Sequence, residues 1–255
     1  MWTLGDVGTH LAAVYLAYCS IVSAVGSVEW DTVLPPGDAP FTERIAAMDA
    51  KSVDLLGGDG HARPGDFVAE RGETFLRITE GLAPDTPVTV PRYGQRATIT
   101  LAAVTGLMPS ESLVHGLDIA RGAGLPWAIG PDEARPVLGQ SMPTMVAPAL
   151  HTARARGVSI AFDLRIKGGP RPAAVVDDGT MTVTRDAPPR AYDCTITAAP
   201  ATLLLVSFRR TPIWKAIARG GMRAGGRRPW LATRLRELVA TPLTSSPLPD
   251  LVAPP

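Results

Sequence analysis

The sequence predicts an all-α helical bundle followed by a small α+β domain. Three observations carry that expectation. As far as Gly122 the apolar residues recur mostly at helical spacing, and from Val158 onward they alternate as in strands. Charge changes sign between the same two regions. Residues 1–150 hold 9 Lys and Arg against 17 Asp and Glu, a net −8, and residues 151–255 hold 16 against 7, a net +9. Between them lies a stretch rich in proline (Pro126, Pro131, Pro136, Pro143, Pro148). The expected division is a bundle over residues 1–125, a linker over 126–156, an α+β domain over 157–240 and a flexible tail over 241–255.

In the first half, Thr3 with Asp6 three residues later is a capping-box start. Val7, Leu11, Val14, Tyr18, Val22 and Val25 follow at helical spacing, His10 shares their face, and Gly26 is the stop. A Pro/Gly stretch from Leu34 to Pro40 precedes a second helix from Thr42 to Leu56. A third runs from Pro64 to Glu80, with Phe67, Phe75, Leu76 and Ile78 inward and Gly81 after it. β-Branched alternation from Val88 to Thr100, around Arg92-Tyr93-Gly94, predicts a hairpin or an extended crossover. The helix from Leu101 to Arg121 is expected to be interrupted and kinked at Pro109.

In the second half, Val158 to Ile166 is a strand turned by Lys167-Gly168-Gly169. Ala173 to Val176 and Met181 to Thr184 are expected to pair about Asp177-Asp178-Gly179. Tyr192 to Thr197 is another strand, and Pro200 to Phe208 and Pro212 to Ala218 are helices. Arg223 to Arg228 returns as a strand, and Trp230 to Val239 is a helix.

Composition narrows the function classes. Apolar residues make up 45% and charged residues 19%, as in a globular chain. From Leu11 to Val28 there is no charged residue, but nothing basic precedes the run, Asp6 and His10 lie at its start, and small residues dilute it. That pattern favours a buried helix over a membrane span or a leader, so no membrane partner is expected. Cys19 and Cys194 form no CxxC or disulfide framework, which suits a reducing compartment, expected to be the cytoplasm. The arginines of the basic half are interleaved with a strand pattern and no nucleic-acid motif, so no nucleic-acid partner is expected.

The chemistry-bearing motif is Glu111-Ser-Leu-Val-His115. Positions i and i+4 share a helix face, so a carboxylate and an imidazole one turn apart can ligate one ion. Two ligands hold a metal weakly, and His10 on the buried face of the first helix is the candidate third. A His/Glu/His set suits zinc or a similar divalent ion and leaves a position open. The spacing alone is common, and lone histidines are usually structural. Asp118 either orients the His115 ring or pairs with Arg121. His61 and His151 read as solvated, and Gly57-Gly58-Asp59-Gly60 is not a phosphate loop, since no strand precedes it and no GK[ST] follows. Ser110 and Ser112 lack nucleophile-elbow glycines. Arg209, Arg210, Arg219 and Arg223, with Arg227, Arg228 and Lys215, form a basic band, expected either to be a solvated face docked on the acidic bundle or to bind an acidic substrate or thiol cofactor across the domain interface.

Two of these stretches resemble one family. Trp2-Thr-Leu-Gly-Asp6-Val-Gly-Thr-His10-Leu-Ala is similar to the opening motif of the mycothiol-dependent maleylpyruvate isomerases, and Glu111-Ser-Leu-Val-His115-Gly-Leu-Asp118-Ile-Ala-Arg121 to their second motif. The resemblance covers roughly residues 1–125. It implies a DinB-like four-helix bundle with a metal, usually zinc, on His10, Glu111 and His115. It also implies a sterol-carrier-like second domain over Gly168 to Val183 and Cys194 to Leu238. Relatives carry a helix before the Trp motif. Here the sequence opens at Met1-Trp2, so either the true start lies upstream or that helix is absent from the bundle, whose exposed apolar face would then be covered in a homodimer or leave the fold unstable. The implied activity is that of a metal- and mycothiol-dependent isomerase or thiol-S-transferase. Its low-molecular-weight thiol would add to a small electrophile such as maleylpyruvate, with bond rotation and elimination following. The alternative is a metal-containing small-molecule-binding protein without catalysis.

Overall fold

The computed structural model describes residues 3–23, 41–52, 56, 61–93 and 97–239. Trp2, Val25 with the stop at Gly26, the Leu34 to Pro40 stretch, Gly57 to Gly60, Gly94 and the tail from 241 lie outside those residues. The chain divides into two compact units, Met1–Ala128 and Ile129–Pro242.

In the first unit α1 spans Leu4–Val22. Its start is the capping box: the Asp6 amide donates to Thr3 Oγ1 at 3.2 Å and the Thr3 amide to Asp6 Oδ2 at 2.7 Å. From Val7 to Val14 nearly every side chain is buried, because α1 packs between neighbours rather than on one of them. Helices α2 (Phe41–Ser52), α3 (Pro64–Thr79) and α4 (Leu101–Gly122) all contact it. Ala12 and Ala13 meet Leu56, Leu16, Phe67 and Val68 there. In α3, Phe75 is buried but Leu76 is 67% exposed, against its expected inward position. Leu76 lies about 100° around the helix from Phe75, off the buried stripe. Pro109 sits inside α4 without interrupting it.

The all-α expectation for this half is overturned. Strands β1 (Pro87–Thr89) and β2 (Thr98–Thr100) pair antiparallel, Val88 opposite Ile99, because short β-branched runs flank the turn. With the sheet of the second unit, the chain as a whole is a mixed helix-and-sheet protein, not an all-α bundle with a small appendage.

The second unit begins inside the stretch expected to be a linker. Helix α5 (Pro131–Pro136), a π-helical turn at Val137–Ser141, α6 (Met142–Val146) and α7 (Thr152–Ala155) lead into the sheet. The strands are β3 (Ser159–Ile166), β4 (Ala173–Asp177), β5 (Thr180–Thr184), β6 (Cys194–Ala198) and β7 (Met222–Gly225), in the order β5-β4-β3-β6-β7. Only β3 and β6 are parallel. The β4–β5 hairpin closes on Asp178 (φ 38°) and Gly179 (φ 83°), the two positive-φ residues of a primed turn. Helices α8 (Pro200–Ser207), α9 (Ile213–Ala218) and α10 (Ala232–Leu238) complete the unit. An isolated bridge joins Leu150 to Val239.

On the face of β3 opposite its apolar residues, Asp163 is 1% exposed. Arg171 grips it through Nε (2.7 Å) and Nη2 (2.9 Å), and Arg165 adds a bond at 2.8 Å. Burial opposes the charge, but the two guanidiniums outweigh it and hold the carboxyl below the ordinary aspartate range. Stability from such a carboxylate is complete above about pH 4 and is lost as pH falls through the folded-state value. Asp163→Asn should therefore cost roughly 1–3 kcal/mol at neutral pH in urea unfolding, and much less near the acid limit of the folded state. An equal cost at both would show that the charge contributes nothing.

Candidate metal centre

His10 stands one and a half turns into α1, while Glu111 and His115 are one turn apart on α4. Because α1 and α4 pack against each other, the helical registers bring the three side chains together. A ligand atom from each lies within 4.8 Å of the others, and all three residues are buried: His10 0%, His115 2% and Glu111 8% exposed. The two imidazoles meet edge to face with centroids 5.0 Å apart.

The His115 ring has two distinct sides. Its Nε2 lies 3.4 Å from Glu111 Oε2, and its Nδ1 lies 3.4 Å from Asp118 Oδ2. The second separation is an ion-pair contact rather than a well-formed hydrogen bond, since Nδ1 lacks a partner of hydrogen-bond geometry. Burial disfavours the imidazolium, but the carboxylates of Asp118 and Glu111 outweigh it and take His115 up to about 9. A buried pocket with two carboxylates needs positive charge, and either a proton on His115 or a bound cation supplies it. The donor set of two imidazoles and one carboxylate, so buried and so close, could hold a metal ion.

Asp118 thus lies on the side of His115 away from Glu111, the position from which a carboxylate can orient a ligating ring. If the ion binds on the Nε2 side, Asp118→Asn should weaken its affinity about 10–100-fold in competition with a chromogenic chelator. An unchanged affinity would reduce Asp118 to a bystander.

Sequence reasoning missed Tyr15, whose hydroxyl lies 2.5 Å from Ser112 Oγ across 97 residues of chain. Burial pushes the Tyr15 phenol up, and the Glu111 charge adds to that against the Ser112 bond. No local signal could have found this pair, because it depends on the α1–α4 register. Ser110 spends its hydroxyl on the Leu107 carbonyl at 2.6 Å. His61 and His151 are exposed, and His151 and the basic band belong to the second unit. No described helix is long and apolar enough to cross a membrane.

No family model matches the chain, and no curated protein does. Among solved structures it is similar to a double mutant of a sec-alkyl sulfatase, with TM-score 0.39 and 15% identity over 91% of this chain and 32% of that one. It is also similar to the stereoselective inverting sec-alkylsulfatase from Pseudomonas sp., with TM-score 0.35 and 14% identity over 97% of this chain and 33% of that one. The chain thus spans about a third of the length of the structures it matches.

Proposed function

We propose that the first unit binds one divalent ion, zinc, through His10, Glu111 and His115, and that the protein is a mycothiol-dependent isomerase or thiol-S-transferase acting on a small electrophile such as maleylpyruvate. The observation that carries the metal part is the convergence of three buried donors from two helices. The thiol part is supported by the likeness of residues 2–12 and 111–121 to the two motifs of the mycothiol-dependent maleylpyruvate isomerases. A divalent ion at this position would supply a Lewis acid with a site open to a thiol, lowering the thiol pKa.

The chain's own residues do the rest. Asp118 holds the His115 ring, and the Tyr15–Ser112 bond ties α1 to α4 beside Glu111. Leu11, Val14, Leu107 and Val114, within one helical turn of the donors along α1 and α4, are buried with them. The two buried free thiols, Cys19 and Cys194, suit a reducing, cytoplasmic setting.

Near-complete burial of the same donors favours a second reading, a metal-containing small-molecule-binding protein without catalysis. The zinc-loaded protein, mycothiol and a panel of electrophiles including maleylpyruvate separate the two. Thiol-dependent turnover that disappears in His115→Ala is the expected result. Turnover retained in that variant would overturn the site, and metal binding with no turnover would leave the binding-protein reading.

A further inference from the structure

The second unit carries a surface that the metal centre does not use. From Cys194 to Arg236 the sequence has nine Lys and Arg and no Asp or Glu. Within the same stretch three large apolar side chains point outward: Trp214 is 71%, Ile217 51% and Trp230 65% exposed. Trp214 and Ile217 are three residues apart on α9, so they share one side of that helix. Lys215 lies between them, and exposed Arg219 and Arg223 follow at once. Arg227 and Arg228 lean on Asp193 at 2.8 and 3.8 Å, which leaves the excess of charge cationic. Burial, and after it the charge of Arg236, pushes the Arg209 guanidinium below the ordinary arginine range.

Exposed Trp214 and Ile217 on one side of a helix make a small apolar patch, and an apolar patch rimmed by polar groups marks an interaction surface. Their setting says with what. Tryptophan settles at the polar–apolar boundary of a bilayer, aliphatic side chains enter the acyl region, and arginine binds phosphate. Apolar wedges among cations with no intervening acid complement an anionic lipid surface in both respects. We propose that α9 and the following Arg/Gly-rich segment dock the protein on an anionic bilayer, with Trp214 and Ile217 inserted at the headgroup boundary and Arg219 and Arg223 on lipid phosphates. The absence of a spanning helix is no obstacle, since this contact lies on the membrane rather than across it.

The full-length protein sedimented with vesicles tests this. Vesicles of phosphatidylcholine mixed with phosphatidylglycerol should carry it down, phosphatidylcholine alone should not, and added salt should weaken binding. The double variant Trp214→Ser, Ile217→Ser should lose about tenfold or more in partitioning, and Arg219→Glu, Arg223→Glu likewise. All four positions are exposed, so circular dichroism should stay unchanged; metal content, which reads the first unit, should also hold and so separates this test from the metal reading. No sedimentation with anionic vesicles, or binding undiminished in the first double variant, would overturn the proposal. Retention on duplex DNA at the same salt with no vesicle binding would replace it with a nucleic-acid surface.

Discussion

Purified protein should carry about one divalent ion per chain by elemental analysis, and His10→Ala, Glu111→Gln and His115→Ala should each lose it. Every one of these residues is a third of the donor set, and the two donors left hold an ion weakly. Affinity should fall by more than the 10–100-fold typical of an orienting neighbour, so at least about 100-fold. Glu111→Gln is the informative variant, because it keeps the shape of a residue only 8% exposed and removes only the charge. In the parent, zinc at about 100 times its Kd should add about 2.7 kcal/mol of stability, and in the variants almost none. The pH dependence has a definite sign. His115 is taken up to about 9 by Asp118 and Glu111, so below that pH an ion must displace its proton. Affinity should therefore rise with pH until about 9 and release a proton on binding. No bound metal in the parent after zinc is added would overturn the centre.

Much of this centre was legible because its parts are local. The Thr3–Asp6 capping box sets where α1 starts, and that start places His10 on the buried side with Val7, Leu11 and Val14. The i, i+4 spacing of Glu111 and His115 needs only that α4 be a helix. What was not legible depends on packing. Tyr15 meets Ser112 only because α1 and α4 adopt one register, and no spacing encodes it. Pro109 was expected to interrupt α4, yet the helix runs through it, since its other hydrogen bonds and the buried stripe from Leu101 to Ala120 hold it. The hairpin of β1 and β2 was legible in the β-branched alternation from Val88 to Thr100; the all-α class failed because that hairpin and the five-stranded sheet together make the chain mixed. The strands of the second unit were clearer, since Ile160, Phe162, Leu164 and Ile166 alternate over a full eight-residue strand.

That alternation makes Phe162→Ala the substitution expected to cost most stability in the second unit, about 3–5 kcal/mol. Phe162 is fully buried at the centre of β3, the middle strand of five. Its register partners are Ala174 on β4 and Cys194 on β6, both small and both buried. Directly paired residues point to the same face, so the ring fills space that neither neighbour can reclaim. A cavity that cannot collapse puts the cost at the upper end of the range. Against a whole-domain stability of about 5–15 kcal/mol, such a loss brings the unit near its limit. Phe162→Leu, which keeps most of the volume, should cost much less than Phe162→Ala. Val175→Ala, on the opposite face and half-buried, should cost about 1 kcal/mol or less. Urea midpoints of the three variants give the order directly. If Phe162→Ala cost no more than Val175→Ala, the inner face of the sheet would not be the side that holds this core.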